Sequence, residues 1–529
     1  MRLTLFILSL LSFLATGCAK RGSITGGLKD TIPPTLRQSM PPNYSTDFKG
    51  NTIKLTFDEY VKLKDANKQL IISPPANRAP IITPSTASKT LSIRLMDTLQ
   101  PNTTYSLNFG QSIQDNNEGN PYPQFKYVFS TGSYIDSLLV AGRIKDAYDK
   151  TTDNNVSIML YEVDETYSDS IIYKQPPRYI TRTQDTSNIW RLENLKAGNY
   201  LLMALKDDNN NNIYNPKSDK IAFQNKFITI PTDTLYELEL FKEKPAFRAL
   251  QASHAATNRI VIGYEGDPRK ASAALFSSGQ EVTAEITKLK GADSLQLWFR
   301  PIKVDSLDLQ ISTTDYEKKF NVKMRNLKQD TLSFSASTTN ILPLRESFKI
   351  QSSIPISAID SALIQVIDKD SASIAFKIEE DKFNQQIIVD FKRDPEQRYN
   401  VRLLPGALTS FYGQANDTIS YKLATNKLSD YGNLRINLQN VRQFPIIIEL
   451  TDSKGEVRVR GFSGEQTTIQ FEAIDPALYS VRLIYDENAN REWDPGNFLQ
   501  RRQSEQVIHF PGAIEVRANW DVEETFILP

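Results

Sequence analysis

Beyond residue 30 the chain alternates. Ile53-Lys54-Leu55-Thr56-Phe57, Leu91-Ser92-Ile93-Arg94-Leu95, Ser157–Tyr161, Leu295–Phe299, Ile387–Phe391 and Leu434-Arg435-Ile436-Asn437-Leu438 are short runs bounded by Pro, Asn, Asp and Gly. A period of two puts alternate side chains on opposite faces of a strand, and no segment sustains the 3.6-residue period of a helix. Strands of this length, each with one polar face, predict antiparallel sandwiches. With 529 residues the chain exceeds the ~250–300 that one core fills. The expectation is an all-β chain of tandem antiparallel β-sandwich modules, Ig-like and prealbumin-like.

Charge and reactive side chains narrow the function. Sixty-two Lys and Arg balance sixty-two Asp and Glu, which argues against a dedicated nucleic-acid binder with its basic face, and no nucleic-acid partner is expected. Two His and one Cys leave almost no material for His/Cys zinc sites, a Ser-His-Asp triad or a disulfide framework. No phosphate-binding Gly-rich loop, dinucleotide fingerprint or metalloprotease motif is present.

The single cysteine is placed informatively. Arg2 precedes the thirteen-residue apolar run Leu3–Ala15, which is signal-peptide length and too short to span a bilayer. It ends in Leu14-Ala15-Thr16-Gly17-Cys18, which resembles a bacterial lipobox with Ala15 in place of the usual Leu. The resemblance implies a signal peptide over 1–17, lipidation of Cys18 and anchoring by acyl chains rather than a helix. Residues 18–29 read as a Gly/Ser-rich tether. Ala19 after the cysteine, by resemblance to Gram-negative lipoproteins, implies the outer membrane, with periplasmic or cell-surface face left open.

Residues 30–132 combine Asp30-Thr31-Ile32-Pro33-Pro34, Met40-Pro41-Pro42, the strand from Ile53 into Asp58-Glu59-Tyr60-Val61, Leu99-Gln100-Pro101-Asn102-Thr103-Thr104-Tyr105, the turn Asp115–Asn120 and Phe129-Ser130-Thr131. This set resembles the SbsA-type bacterial Ig-like domain. A fainter copy at 340–428 keeps the order of strands, with Tyr399 leading to Phe411-Tyr412-Gly413, but lacks the prolines of the first. Residues 246–338 form a sandwich without a signature.

A repeat joins the middle of the chain to its end. At an offset of 279, Leu195 meets Ile474, Tyr200 meets Tyr479, Asp207 meets Asp486, Asn209 meets Asn488, Asn211 meets Asn490, Tyr214 meets Trp493 and Pro216 meets Pro495. These segments resemble transthyretin-like or Cna-B-like sandwiches, placed at 135–243 and 431–529. Each carries an Asp-x-Asn-x-Asn loop, which spaces oxygen ligands as calcium loops do. The candidate ligands are Asp207, Asn209, Asn211 and Asp219 in the first copy, and Asp486, Asn488, Asn490 and Asp494 in the second, for a weak Ca2+ site. The competing reading is a turn held by side-chain-to-backbone bonds, with no cofactor.

His254 and His509 have no partners that would make a ligand set, and Asp58-Glu59 could be half of a carboxylate pair. The expectation is a non-catalytic structural or binding subunit of the cell envelope, anchored in the outer membrane by its lipid, with a protein partner there. A glycan-binding lipoprotein and a carboxylate-dependent envelope hydrolase are the alternatives.

Overall fold

The computed structural model describes residues 30–183 and 188–529; Cys18, the signal peptide and the tether lie outside them. The described chain is all-β, and its short sheets fall into two compact units. Among the described residues no helix is long and apolar enough to cross a membrane.

The first unit holds the Ig-like sandwich. Thr52–Leu63 buries Ile53, Leu55, Phe57 and Val61 and turns Lys54 outward, as its alternation requires. It pairs antiparallel with Ser88–Arg94, setting Ile53 opposite Ile93 and Leu55 opposite Leu91. The facing sheet contains Thr104–Asn108 and Lys126–Ser130, whose Tyr105, Leu107 and Phe129 complete the core. The predicted turn at 115–120 forms around buried Asp115, which accepts the N–H groups of Glu118, Gly119 and Asn120, with Gly119 at φ 82°. Burial alone would raise the Asp115 carboxyl, but these backbone donors hold it below the usual range.

One corner of this sandwich recurs in the second unit at an offset of 294. The Gln100 N–H donates to Tyr105 Oη at 2.8 Å, and the Asp394 N–H to Tyr399 Oη at 2.7 Å. Thr131 Oγ1 accepts from Thr103 N–H and donates to the Gln100 carbonyl; Thr425 Oγ1 does the same with Gln397 and Asp394. Pro395 stands where Pro101 does, and Glu396 and Asn102 both have positive φ. The second copy therefore keeps this one proline, which the sequence comparison had treated as lost with the rest. Proline fixes the turn that brings each tyrosine hydroxyl under its own backbone.

The second unit contains the other sheets. Ser157–Glu162, Gly198–Lys206 and Lys220–Phe223 lie antiparallel in one of them. Near the C-terminus Val457–Ser463, Ile446–Thr451, Ala477–Tyr485 and Val507–Val516 form a four-stranded sheet. Among the described strands, Ala141–Asp146 runs parallel to Leu235–Leu240, and Gly432–Gln439 parallel to Asp521–Ile527. In each repeat a parallel pair thus joins the first strand to the last.

Candidate functional site

The two Asp-x-Asn-x-Asn loops are closed in closely similar ways. Asp207 accepts the N–H groups of Asn209 (3.0 Å) and Asn212 (2.6 Å); Asp486 accepts those of Asn490 (3.1 Å) and Arg491 (2.9 Å). Asn211 accepts from Ile213 N–H and Asn490 from Glu492 N–H. Positive φ falls at Asn210 and Asn212 in one loop and at Ala489 and Arg491 in the other. A non-glycine backbone in this region needs local support, which the buried carboxylates give.

Buried Asp219 accepts the N–H groups of Asp208 and Asn215. In the second loop the equivalent bonds, from Glu487 and Asp494, go to Glu505. The structural partner of Asp219 is therefore Glu505 rather than Asp494. Asp494 instead accepts from Asn488 Nδ2, Asn490 Nδ2 and Lys244 Nζ. Sequence comparison missed Glu505 because the second connection is seven residues longer, so it sits at an offset of 286 instead of 279. In both loops the carboxylate oxygens face N–H hydrogens, a donor set that closes a turn rather than one arranged for a cation. Among the described residues no group of three or more His, Cys, Asp or Glu is gathered so as to hold a metal ion.

Both loops end at the same place. Tyr214 Oη donates to Glu243 Oε2 at 2.8 Å, and the N–H of Phe498, just past the second loop, donates to Glu243 Oε1. Burial and the Glu243 charge push the Tyr214 hydroxyl far up, so it stays a donor. Phe498 is fully buried, edge-on to Phe223 at 5.2 Å. Gly496 packs directly against a neighbouring ring: a Cβ there would sit 2.4 Å from the Phe241 ring. Arg501 pairs with Asp169, and Gln503 Nε2 donates to the Phe223 carbonyl. The loop over residues 496–503 thus plugs into the module formed by residues 140–243.

A second part of this junction lies on the outer face of the C-terminal four-stranded sheet. Ile446, Ile448, Leu450, Val481 and Leu483 point into its own core. The intervening Ile447, Glu449, Arg482 and Ile484 are also buried, none more than 3% exposed. Tyr148 covers them, with its ring 3.6 Å from the Arg482 guanidinium and 4.5 Å from Trp493, and Oη donating to Glu449 at 3.0 Å. Arg482 Nε and Arg460 Nε donate to opposite oxygens of Glu449 at 2.7 and 2.8 Å. Burial, with the Glu449 charge beside it, pushes the Tyr148 hydroxyl up to about 12.

Asp58, Glu59 and His254 are held apart from such clusters. Asp58 accepts both the N–H and Oγ1 of Thr35, which lowers its carboxyl and clamps the leading strand. Burial, then the charges of Asp115 and Asp58, raise Glu59. His254 lies in the strand Arg248–Ala256, where its Nδ1 accepts the Arg325 N–H at 3.0 Å.

Residues 30–131 match the family described as bacterial Ig-like domain. No curated protein matches the chain. Among solved structures, the S-layer protein rSbsC aligns with 86% of this chain at 9% identity and a TM-score of 0.15, and this chain spans 64% of it. SGBP-B from the Bacteroides ovatus mixed-linkage glucan utilization locus, in complex with a heptasaccharide, aligns over 72% of this chain and 91% of its own, at 9% identity and a TM-score of 0.18. Titin domains A168–A170 align over 52% and 94%, at 12% identity and a TM-score of 0.15.

Proposed function

We propose that this chain is a lipoprotein, acylated at Cys18 and held in the outer membrane, that serves as a non-catalytic structural or binding subunit of the bacterial envelope. The observation that supports it most is where the buried ionisable groups go. Glu243, Glu449 and Arg482 are spent on joining one module to another, and Asp207, Asp219, Asp486 and Glu505 on closing turns. A catalytic carboxylate or base has to face a cleft open to substrate; these face each other or the backbone. The lipobox and the match of residues 30–131 to a bacterial Ig-like domain fit a protein that presents rigid modules from a membrane.

Metabolic labelling with an alkynyl fatty acid tests the anchor: the wild type takes up label and fractionates with outer membranes, and Cys18→Ser does neither. Gentle detergent extraction followed by co-purification tests the subunit role. A stoichiometric membrane protein supports it; a solitary chain retained on polysaccharide sinks it.

A second reading, glycan binding, is favoured by an open surface groove lined by Gly461, Phe462 and Glu465–Gln470. Its wall is the 45% exposed ring of Phe462, which the Arg491 guanidinium covers from one side at 5.4 Å, and Gln466, Thr467 and Gln470 offer amides and a hydroxyl beside it. A ring face with planar hydrogen-bonding groups suits a sugar. Loss of polysaccharide retention in Phe462→Ala would support this reading, and absence of retention by the wild type would exclude it.

A further inference from the structure

The outer face of the C-terminal sheet carries a transverse row of four ionisable side chains, one from each strand. Arg460 is in register with Glu449, Glu449 with Arg482, and Arg482 with His509. Three of them form a closed ionic set, because Glu449 already accepts from Arg460, Arg482 and Tyr148. His509 ends the row, and its Nε2 is buried without a hydrogen-bond partner, as is Nη2 of Arg482 beside it.

We infer that this row is an acid-sensitive latch, in which a proton on His509 releases the C-terminal module from the module formed by residues 140–243. The cations that face His509 are Arg482 and Lys150, and Lys150 Nζ is fixed on the carbonyls of Phe510 and Pro511 at 3.0 and 2.7 Å. The nearby carboxylates are already engaged. Asp149 lies 3.4 Å from Arg482, and Asp146 pairs with Lys220, which also holds Asp153. A protonated imidazole would place a third cation beside Arg482 and Lys150 with its Nε2 buried, while the neighbouring carboxylates and the Tyr148 carbonyl are already shared with other donors, a costly arrangement.

The titration of the ring agrees with that geometry. Burial first, and then Arg482 and Lys150, push it down to about 4, while Asp146 and a backbone contact at Tyr148 act weakly the other way. Once released and solvated, the same ring would titrate near ~6.5. The released form therefore binds the proton more tightly, and acid favours it. The ratio of docked to released module is independent of pH above 6.5 or so, and falls by up to about tenfold per pH unit from there down to about 4.

The junction contains a reporter in Trp493, one of only four tryptophans, which stacks on Tyr148. Full-length protein labelled with 5-fluorotryptophan would be followed by 19F NMR in detergent from pH 7.5 to 4, with resonances assigned by single Trp→Phe variants. The latch predicts that the Trp493 resonance moves reversibly below pH 6.5 while those of Trp190 and Trp298 stay in place. His509→Gln and His509→Phe, which cannot take up a proton there, lose the transition, and His509→Arg shows the acid position at pH 7.5. The latch is overturned if Trp493 does not move, if all four resonances move together as in global unfolding, or if the transition survives in both uncharged variants. Resonances of Trp190 and Trp298 at their wild-type positions establish that each variant is folded.

Discussion

The two repeated modules solve the same problem in different chemistry. At equivalent places in their sheets, Met159 pairs across strands with Met203 and Glu449 with Arg482. All four are buried. The methionine pair sits in a strand, Gly198–Lys206, that is apolar on both faces. The ion pair sits in strands just as buried, but its cover is Tyr148 from the other repeat. An apolar pair holds whatever apolar cover it meets, whereas a charged pair accepts only a cover that completes its hydrogen bonds. The difference teaches that one repeat has an ordinary core on this face and the other a selective docking surface. Importing the methionines is the sharpest way to break the comparison. Glu449→Gln or Arg482→Met alone strands a buried charge and should cost about 3–5 kcal/mol, read as a fall in the urea midpoint of the Trp493 signal. The double variant Glu449→Met/Arg482→Met should recover all of that loss and can exceed wild type by about 1–4 kcal/mol. Single variants no worse than the double would show that the pair is solvated and the junction open.

The plug at Phe498 is next in size. Phe498→Ala removes a fully buried ring that contacts Phe223 and should cost about 3–5 kcal/mol. Gly496→Ala should come close to it without touching the ring, because its Cβ would meet Phe241 and the Arg502 carbonyl at 2.4 and 2.6 Å. Limited proteolysis between residues 496 and 503 would report both. A Gly496→Ala chain as resistant as wild type would mean that this loop does not dock.

How much of this was legible in the sequence follows from which faces are buried. Alternation in Ile53–Phe57 and Leu91–Leu95 gave strand, face and core directly, since one face meets water. Ser157–Tyr161 was read as an alternating strand, yet all five residues are buried. Continuous apolar runs such as this one and Ile446-Ile447-Ile448 signal burial on both faces, and a lone Glu449 or Arg482 inside such a run was the available sign of a junction. What covers the outer face was not legible, because Tyr148 and Glu449 are 301 residues apart and no local pattern links them. Glu505 was hidden by the longer second connection. The offset of 294 between the tyrosine corners was masked by drift elsewhere in the two Ig-like copies.

That corner supplies a smaller and more symmetrical comparison. Thr131→Val and Thr425→Val each remove a hydroxyl that both accepts a backbone N–H and donates to a carbonyl. Each should destabilise its own sandwich by about 1–3 kcal/mol, the cost of leaving backbone groups unpaired. Hydrogen exchange at Gln100 and Thr103 in one variant, and at Asp394 and Gln397 in the other, should rise together with a similar factor. A large response in one copy and none in the other would mean that the corner is maintained by its surroundings rather than by its own bonds.

The loops give the smallest expected effect and the clearest separation of two roles. Asp207→Ala removes the acceptor of Asn209 and Asn212 N–H, and with it the support for positive φ at Asn212. A cost of about 1–2 kcal/mol follows if the carboxylate is a turn-holder, comparable to the loss of a helix cap. Added Ca2+ should then produce no heat in isothermal titration with either wild type or variant, and should not raise the Tm of either. Binding that is abolished by Asp207→Ala would require the loop to rearrange. Both carboxylate oxygens would have to leave their N–H donors before they could face a cation, so the heat would report the cost of breaking this turn along with the gain of coordination. Asp486→Ala should behave in the same way with one addition. Because Trp493 follows directly in that loop and stacks on Tyr148, loosening the second turn should also disturb the Trp493 resonance. Asp207→Ala should leave that resonance unmoved. The two loops are closed in similar ways, but Tyr214 of the first bonds Glu243, whereas Trp493 of the second stacks on Tyr148.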